Sequence, residues 1–397
     1  MMPLALLLAA ALAPHQEAEW RGRIRSTLSA PDPLPALDAR THGRFQPDAE
    51  VVGERVTYAT QLGMRVPAIL YLPKARSGKI PALIVVNGHG GDKYSWYAFY
   101  SGILYARAGA AVLTYDPAGE GERNILRRSG TRAHDNPDPS PELARRLGGL
   151  MMTDVMQAVS YLSQRPEVDA SRIAAVGYSM GSFVLALTCA VDTRLRACVL
   201  AGGGNLDGPG EYWDRSKPMC QGIPYQSLSF LGDRPAAIYA LHASRGPTLI
   251  FNGLEDSTVG IPANAAAFFR DLRGRAARLR GGDHGLFDFR LVAGAGHRPW
   301  FVTRDAAHWL NLHLQFPNWD EFFILHMPET HISPWSREGG VEMDPLYANE
   351  HREGGARALG SGVPALSREA LSVFTPEAWE GQKTRLVHES WLEKTHR

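Results

Sequence analysis

The stretch that most constrains this chain is an apolar run that ends in Gly-x-Ser-x-Gly and leads into a helical pattern. Residues 173–176 are strand-like, Gly177 and Gly181 flank Ser179, and an Ala- and Leu-rich helical pattern follows. Small neighbours are needed there, because strand and helix must pack closely around a serine held on a sharp turn. The turn lifts the Ser179 hydroxyl off the sheet edge, where the first amides of the helix point. The sequence therefore predicts Ser179 to be a nucleophile.

Strand-like and helical segments alternate through the middle of the chain, which predicts crossover connections and a mostly parallel sheet. Two β-rich runs around Gly63 predict an antiparallel hairpin at one edge of that sheet. The hairpin strands cover residues 51–58 and 66–73. The later predicted strands cover residues 82–86, 110–115, 173–176, 197–201, 248–251 and 287–292. The predicted helices cover residues 96–107, 150–162 and 264–272. The fold class predicted from these patterns is α/β.

Two long connections interrupt this alternation, residues 119–149 and 205–246. Long loops in compact domains are usually functional or disordered. Both connections leave the carboxyl ends of strands, which is the edge where open α/β sheets bind ligands. We interpret them as walls or a lid over a site.

Composition excludes some classes of function. Lys plus Arg number 42 and Asp plus Glu 41, which leaves a net charge of +1 and gives no electrostatic reason to expect nucleic acid as a partner. Three cysteines allow one disulfide at most, so a disulfide scaffold is excluded. The spacing of Cys and His suits no structural zinc site, and no metal is expected from it.

The first residues of the chain form an apolar run, residues 3–13, followed by polar residues. The run is too short to span a bilayer stably and has the length of a signal-peptide apolar region. It therefore predicts export to the periplasm or the outside of the cell. A small-residue cleavage site ends at Ala13, but Pro14 follows it directly, so cleavage near Ala18 is the alternative.

A serine nucleophile needs a base, and that base needs an acid to orient it. Asp256 lies in the loop after the strand at 248–251, where an orienting acid is expected. Glu255 is the neighbouring alternative, and Asp256 is preferred because a shorter side chain is held more firmly.

The predicted base is His297, which follows the last strand in a glycine-rich loop that can carry its imidazole back over the sheet edge. His284 precedes that strand, and His308 and His313 belong to a helical pattern. We therefore expect these three histidines to be packing or surface residues and not the catalytic base.

The developing oxyanion needs donors that are already in place. One predicted donor is the backbone amide of Met180, the residue after the serine. The other is expected from the His-Gly-Gly segment after the strand at 82–86, either Gly90 or Gly91. His89 in the same loop contacts either substrate or the loop itself. The other candidate pocket residues are Trp96, Tyr97, Trp213 and Trp300, for each of which core packing is the alternative, and Arg123 at the mouth of the site.

The elbow at Ser179, the His-Gly-Gly loop, Asp256 and His297 together resemble the α/β-hydrolase superfamily. Within it, the chain is similar to the dienelactone hydrolase and acetyl xylan esterase-like branch of secreted bacterial esterases, through residues 116–121, Cys220 and residues 253–259.

The resemblance implies a mostly parallel eight-stranded sheet flanked by helices, with lid insertions. It also implies ester hydrolysis through an acyl-serine, without a cofactor. The Arg-Gly-Gln and His-Glu signatures of cephalosporin-deacetylase-type esterases are absent, so that substrate class is not carried over.

The sequence therefore divides into a signal peptide over residues 1–18, an N-terminal arm over 19–50, a catalytic domain over 51–315 and a C-terminal extension over 316–397 packed on that domain.

The expected function is hydrolysis of a small-molecule or carbohydrate ester, for example of an acetylated carbohydrate. One alternative is a serine peptidase of the prolyl-oligopeptidase type. The N-terminal arm argues against it, because the arm is too short to form the blades of a propeller. The other is a binding protein with a silent site. Oligomeric state is left open.

Overall fold

The computed structural model describes residues 11–135, 140–207, 219–261, 263–343 and 355–395, apart from the side chain of Met219. Within these ranges nine strands form one mixed sheet. They are β1 (Arg40–Asp48), β2 (Val51–Ala59), β3 (Arg65–Pro73), β4 (Ile80–Val86), β5 (Ala111–Tyr115), β6 (Val168–Tyr178), β7 (Ala197–Ala201), β8 (Thr248–Gly253) and β9 (Phe287–Val292). Their order across the sheet is β1-β2-β3-β5-β4-β6-β7-β8-β9.

The sheet has an antiparallel edge and a parallel body. The pairs β1–β2, β2–β3 and β3–β5 are antiparallel, and the remaining pairs from β5 through β4 to β9 are parallel. The predicted hairpin and mostly parallel sheet are therefore confirmed. The expected number of strands was one too low, because the end of the N-terminal arm forms β1. Its exposed, polar sequence gave no alternating apolar signal.

Helices cover both faces of the sheet. They are α1 (Pro14–Thr27), α2 (Trp96–Arg107), α3 (Pro141–Ser163), α4 (Met180–Val191), α5 (Met219–Gln226), α6 (Arg234–Ala243), α7 (Ala265–Arg280) and α8 (Arg304–Leu314). On one face α3, α4, α6 and α7 pack against side chains such as Ile84, and on the other α2 and α8 pack against Leu83 and Val85. Alternate strand residues thus belong to separate cores, as expected for a strand buried on both faces.

Two predicted helices are longer than expected. Helix α3 begins at Pro141, not near residue 150, and the Ser140 hydroxyl accepts a hydrogen bond from the Leu143 amide at its start. The first long connection is correspondingly shorter. Helix α7 continues to Arg280 and ends at Gly281 in the left-handed conformation, a common helix termination.

The chain beyond α8 folds into short elements that pack mostly on the side of α2, while Trp391 in the last helix belongs to the core on the α3 side. They are α9 (Glu321–His326), β10 (Glu329–His331), α10 (Ile332–Glu338), β11 (Arg357–Leu359), α11 (Arg368–Leu371), α12 (Pro376–Gln382) and α13 (His388–Thr395), with β10 and β11 paired antiparallel. The indole of Trp379 donates to the Glu122 carbonyl at 2.9 Å, and Arg55 of β2 donates to the carbonyls of Ala370 and Ser372, both at 2.9 Å. Hydrogen bonds thus join this C-terminal segment to the antiparallel edge of the sheet.

The N-terminal end of the described chain packs on α7. The Leu12 amide donates to the Leu279 carbonyl at 2.7 Å, and Glu17 pairs with Arg21 and Arg280. Over the described ranges, no helix combines the length and the apolar character needed to cross a bilayer.

Candidate active site

Ser179 stands on a strained turn between β6 and α4. Its backbone has φ 54° and ψ −117°, a region that residues with side chains rarely occupy. A Cβ on Gly177 would lie 2.4 Å from the Gly181 carbonyl oxygen, and one on Gly181 would lie 2.2 Å from the Val86 carbonyl oxygen. The Ser179 amide donates to the Ala201 carbonyl of β7 at 2.9 Å. Both motif glycines are therefore required by close backbone packing, as the sequence indicated.

Asp256 and His297 form a buried pair at the same edge of the sheet. The Nδ1 of His297 lies 2.7 Å from Oδ2 of Asp256, with the two residues 1% and 2% exposed, respectively. The other carboxylate oxygen, Oδ1, accepts the amides of Thr258 at 3.0 Å and Val259 at 3.2 Å. Both oxygens are thus engaged, and the carboxylate is fixed in the orientation that holds the imidazole.

The loops that carry this pair pack tightly on each other. The Glu255 amide donates to the Ala295 carbonyl at 2.9 Å, and a Cβ on Gly253 would lie 2.0 Å from the same oxygen. Only a glycine at 253 lets the loop after β8 approach the loop after β9 so closely.

The turn after β7 lies between His297 and Ser179. A Cβ on Gly202 would lie 2.9 Å from Cε1 of His297, and a Cβ on Gly203 would lie 3.6 Å from the Ser179 carbonyl oxygen. The ring of Tyr178, the residue before the serine, packs against the His297 ring with centroids 4.8 Å apart and planes tilted by 33°. The structure thus brings Ser179, Asp256 and His297 to one edge of the sheet.

The alternative acid and bases lie elsewhere. Glu255 is exposed, and so is His284 in the turn before β9. His308 pairs with Glu321 at 3.3 Å, and the His313 ring packs on Trp309 of α8 with centroids 4.5 Å apart.

The loop after β4 borders the serine. A Cβ on Gly88 would lie 3.3 Å from the Ser179 Cβ. Within this loop the Gly91 amide donates to the Gly88 carbonyl at 3.0 Å, and the Gly88 amide donates to the Tyr97 hydroxyl at 3.0 Å. These bonds already engage the Gly91 amide, which favours Gly90 among the two expected donors. The amide of His89, which the sequence did not single out, is a further candidate.

Met180 is the first residue of α4, so helix geometry leaves its amide without a partner in the helix. It lies next to Ser179, at the position expected of the other oxyanion donor.

A cavity of about 670 Å³ opens beside the Gly88 loop. It is lined by Gly88–Gly91, Tyr94, Ser95, Trp96, Tyr97, Arg128–Gly130, Tyr178, Glu342, Met343 and Arg368. Trp96 borders this cavity, but it is almost fully buried in the core beside α2, which agrees with core packing, the alternative considered for it. Arg128 and Arg368 were not anticipated as lining residues, because they come from distant segments with no motif of their own.

Two of the remaining candidate pocket residues have other surroundings. Arg123 is buried in an ion pair with Asp154 at 2.5 Å, and the Trp300 indole stacks on Phe251 with ring centroids 5.1 Å apart. The interior of the protein thus accounts for both side chains, contrary to the expectation that they line the pocket. Trp213 lies outside the described residues.

The segment after β5 is a structural turn. The Asp116 carboxylate accepts the Glu122 amide at 2.9 Å and the Lys93 ammonium at 2.5 Å, and the same ammonium reaches Glu122 at 2.8 Å. Burial raises the pKa of Asp116, although Lys93 opposes that shift. These charges are neutralised within the protein and do not line the cavity beside Gly88.

Two family models match the chain. The model described as the prolyl oligopeptidase family matches residues 141–319, and the model described as acetyl xylan esterase (AXE1) matches residues 46–201. Together they span the sheet from β2 to β9 and include Ser179, Asp256 and His297.

Individual proteins that resemble the chain also carry hydrolase or esterase names. "Hydrolyase poxO" of Penicillium oxalicum is 31% identical over 192 residues, which are 48% of this chain but only 38% of that protein. The solved acetyl xylan esterase from Paenibacillus sp. R4 aligns with a TM-score of 0.52 and 19% identity, over 79% of this chain and 100% of the other. Methylesterase BT1017 aligns with a TM-score of 0.53 and 16% identity, over 95% of this chain and 70% of the other. Both solved proteins share the fold described above.

Proposed function

We propose that this chain, a protein of the α/β-hydrolase fold, is a serine hydrolase that cleaves a carboxylic ester. The observation that carries the proposal is the buried hydrogen bond of 2.7 Å between His297 and Asp256, at the sheet edge where Ser179 stands on its strained turn. A nucleophile, a base and an orienting acid on the ends of three different strands form the constellation of this reaction class.

In the proposed first step, His297 takes the hydroxyl proton of Ser179 through Nε2 while the serine oxygen attacks the ester carbonyl. Asp256 keeps the proton of the imidazole on Nδ1 and stabilises the imidazolium that forms. The Met180 amide and one amide of the loop after β4, from Gly90 or His89, donate to the oxyanion.

Collapse of the tetrahedral intermediate breaks the ester C–O bond, and the leaving alcohol takes the proton from His297. The acyl group stays on Ser179. Water then attacks the acyl carbonyl with His297 again acting as base, and the carboxylic acid leaves as the serine recovers its proton.

The proposed substrate is a small-molecule or carbohydrate ester with a short acyl group such as acetyl. The cavity of about 670 Å³ beside Gly88 is large enough for a small ester, and its lining combines aromatic side chains with the polar groups of Arg128, Ser129 and Arg368. The printed names of two aligned structures, an acetyl xylan esterase and a methylesterase, describe activities of those proteins on esters.

A peptidase is the second candidate, because the prolyl oligopeptidase family model matches residues 141–319. A panel of short acyl esters, acetylated xylan and proline-containing peptide amides separates the two candidates, with Ser179→Ala as the blank. We expect turnover of acetyl esters and none of the peptide amides. Cleavage of the amides at comparable kcat/KM would contradict the ester assignment.

We also propose that the chain is exported and that residues 51–315 form the catalytic domain, with β1 supplied by the arm over 19–50. Pro14 is the first residue of α1, so cleavage after Ala13 keeps every helical residue but removes the Ala13 N-cap and the Leu12 hydrogen bond to Leu279. Cleavage after Ala18 would remove Glu17 and its ion pair with Arg280. N-terminal sequencing of protein recovered from the periplasm or medium tests this; a chain still starting at Met1 would contradict export by signal cleavage.

A further inference from the structure

Four potential metal ligands converge beside the loop after β4. They are His89, His134, Asp135 and Cys220, and one donor atom from each lies within 4.8 Å of the others. They come from three separate segments: the loop after β4, the connection after β5, and the first turn of α5. Residues 89 and 135 are 46 positions apart and residues 135 and 220 are 85 apart, so spacing in the sequence could not reveal the cluster.

Two of the distances between donor atoms match those of a small tetrahedral site, whereas His89 and Asp135 are in direct contact and would have to separate to admit an ion. The Asp135 Oδ1 lies 3.7 Å from the Cys220 sulfur and 3.7 Å from Nε2 of His134. Zinc bonds of about 2.0–2.3 Å at tetrahedral angles place neighbouring ligand atoms roughly 3.3–3.7 Å apart. His89 Nε2 contacts the same Asp135 oxygen directly. A cation between the four groups would replace that single contact with four bonds.

His134 is the second, independent sign of a ligand. It is fully buried, and within the described ranges its Nε2 has no hydrogen-bond partner. A buried ring nitrogen without a partner is costly, so its position calls for an explanation. Its Nδ1 borders the backbone near Gly119, where an added Cβ would lie 3.2 Å from it, while Nε2 is the atom on the Asp135 side. The ring therefore directs one nitrogen into the cluster.

We propose that His89, His134, Asp135 and Cys220 bind one zinc ion. Two imidazoles, one thiolate and one carboxylate are ligand types that zinc accepts together, whereas calcium and magnesium prefer oxygen alone. The thiolate and the carboxylate carry two negative charges, which balance the ion. When the zinc–sulfur bond forms, the Cys220 thiol releases its proton to solvent.

The zinc ion positions the oxyanion loop. His89 lies between Gly88 and Gly90, and the Gly90 carbonyl already accepts the Gly130 amide at 2.8 Å. A metal bond at His89 would fix this loop to the connection after β5 and to α5. Only this consequence rests on the proposed hydrolase function, since metal binding itself does not depend on it. The ion takes no part in proton transfer.

The test is metal content and affinity in the full-length, tag-free protein. We expect one zinc per chain by elemental analysis after expression with added zinc salt and dialysis. In a competition titration with a chromogenic chelator, His134→Ala and Cys220→Ser should each weaken zinc binding by roughly 100-fold or more. His284→Ala, exposed and outside the cluster, and Cys189→Ala, buried in α4, are the matched controls and should bind as the parent does.

Cobalt substitution distinguishes this site from adventitious binding. Co²⁺ bound to the parent protein should give a thiolate charge-transfer band in the near ultraviolet, which Cys220→Ser removes. If His134→Ala misfolds by circular dichroism, Asp135→Asn provides the second test. A parent protein that binds no zinc, or cluster variants that bind zinc as tightly as the controls, would overturn the proposal. Neither readout uses catalysis, so failure here is distinct from failure of the hydrolase assignment.

Discussion

Two buried aspartates, each in the segment that follows a strand of the same sheet, have different partners. Asp256 follows β8 and hydrogen-bonds His297 at 2.7 Å. Asp116 follows β5 and binds the Lys93 ammonium at 2.5 Å and the Glu122 amide at 2.9 Å. Both carboxylates are buried and fully engaged, so burial at a strand end does not by itself identify a catalytic group.

The partner decides the role. An imidazole can take and return a proton near neutral pH, so Asp256 orients a group that can act as a base. Burial alone would lower the pKa of Lys93, but the Asp116 and Glu122 carboxylates outweigh it and raise that pKa, so the ammonium stays charged. Glu122 in turn accepts the amides of Val373 at 2.9 Å and Phe374 at 3.0 Å. The Asp116 cluster thus fastens the C-terminal segment, whereas the role we propose for the Asp256 pair is in proton transfer.

The largest expected effect on turnover concerns the proposed nucleophile. Ser179→Ala removes the attacking oxygen and should lower kcat for an acetyl ester by roughly 10⁵–10⁶-fold. The thermal midpoint should stay within a few degrees of the parent, because the Ser179 hydroxyl is not part of the core. Steady-state kinetics and a thermal melt test this, and a variant retaining most of its turnover would rule Ser179 out as the nucleophile.

The next effect tests the Asp256 side of the comparison. Asp256→Asn keeps an oxygen for the Thr258 and Val259 amides but turns an amide NH₂ toward His297, which favours the wrong tautomer of the imidazole. We expect kcat to fall about 10⁴-fold with the protein still folded. Glu255→Gln, one residue away and exposed, is the matched control and should leave kcat within about two-fold. Equal losses in both variants would contradict the assignment of the acid.

Asp116→Asn should behave in the opposite way. It removes one anion from the buried Lys93 cluster and leaves the ammonium incompletely neutralised, which should lower the free energy of unfolding by roughly 3–5 kcal/mol. The kcat of the folded fraction should change by only a few-fold. Chemical denaturation together with active-site titration separates the two quantities. A large fall in kcat at unchanged stability would place Asp116 among the catalytic groups.

The sequence predicted the sheet body and the serine turn because local signals and tertiary packing agree there. It placed the start of α3 too late because Gly148 and Gly149 look like helix breakers. In the fold a Cβ on Gly148 would lie 2.9 Å from Pro224, and one on Gly149 would lie 1.8 Å from the Leu28 carbonyl oxygen. Contacts with distant segments, which no local pattern encodes, require glycine there.

Contacts between distant segments also limit what the sequence predicts at the site. Gly-x-Ser-x-Gly, the loop acid and the loop histidine each follow a recognisable strand, so chain order alone points to Ser179, Asp256 and His297. The cavity wall includes Arg368, which ion-pairs with Asp92 at 2.9 Å from 276 positions away. A side chain brought in over such a distance leaves no signal in its own neighbourhood.

The smallest effect concerns a third buried carboxylate, Glu120, held by backbone amides. Burial raises the pKa of Glu120 to about 8, although the Arg132 amide at 2.9 Å and the Thr131 amide at 3.2 Å oppose the shift. In the unfolded chain this group ionises near its ordinary pKa of 4.5. Its contribution to stability is therefore complete below pH 4.5 and is lost as the pH rises to about 8.

Glu120→Gln resembles the protonated side chain and does not ionise. Between pH 5 and 8 we expect the stability of the parent to fall relative to this variant by about 1–3 kcal/mol. Denaturant unfolding at several pH values measures the difference. A gap between parent and variant that stays constant over this range would show that Glu120 ionises in the folded protein as it does in the unfolded chain.

The most direct measurement is covalent labelling of the native protein with a fluorophosphonate, followed by mass spectrometry of its peptides. The proposed reaction predicts one adduct per chain, on the peptide that contains Ser179, and none in Ser179→Ala. Labelling should fall steeply in His297→Ala, because the base that activates the serine is gone. A native parent protein that takes up no label, or takes it up on another serine, would contradict the acyl-serine reaction and favour a binding protein with a silent site.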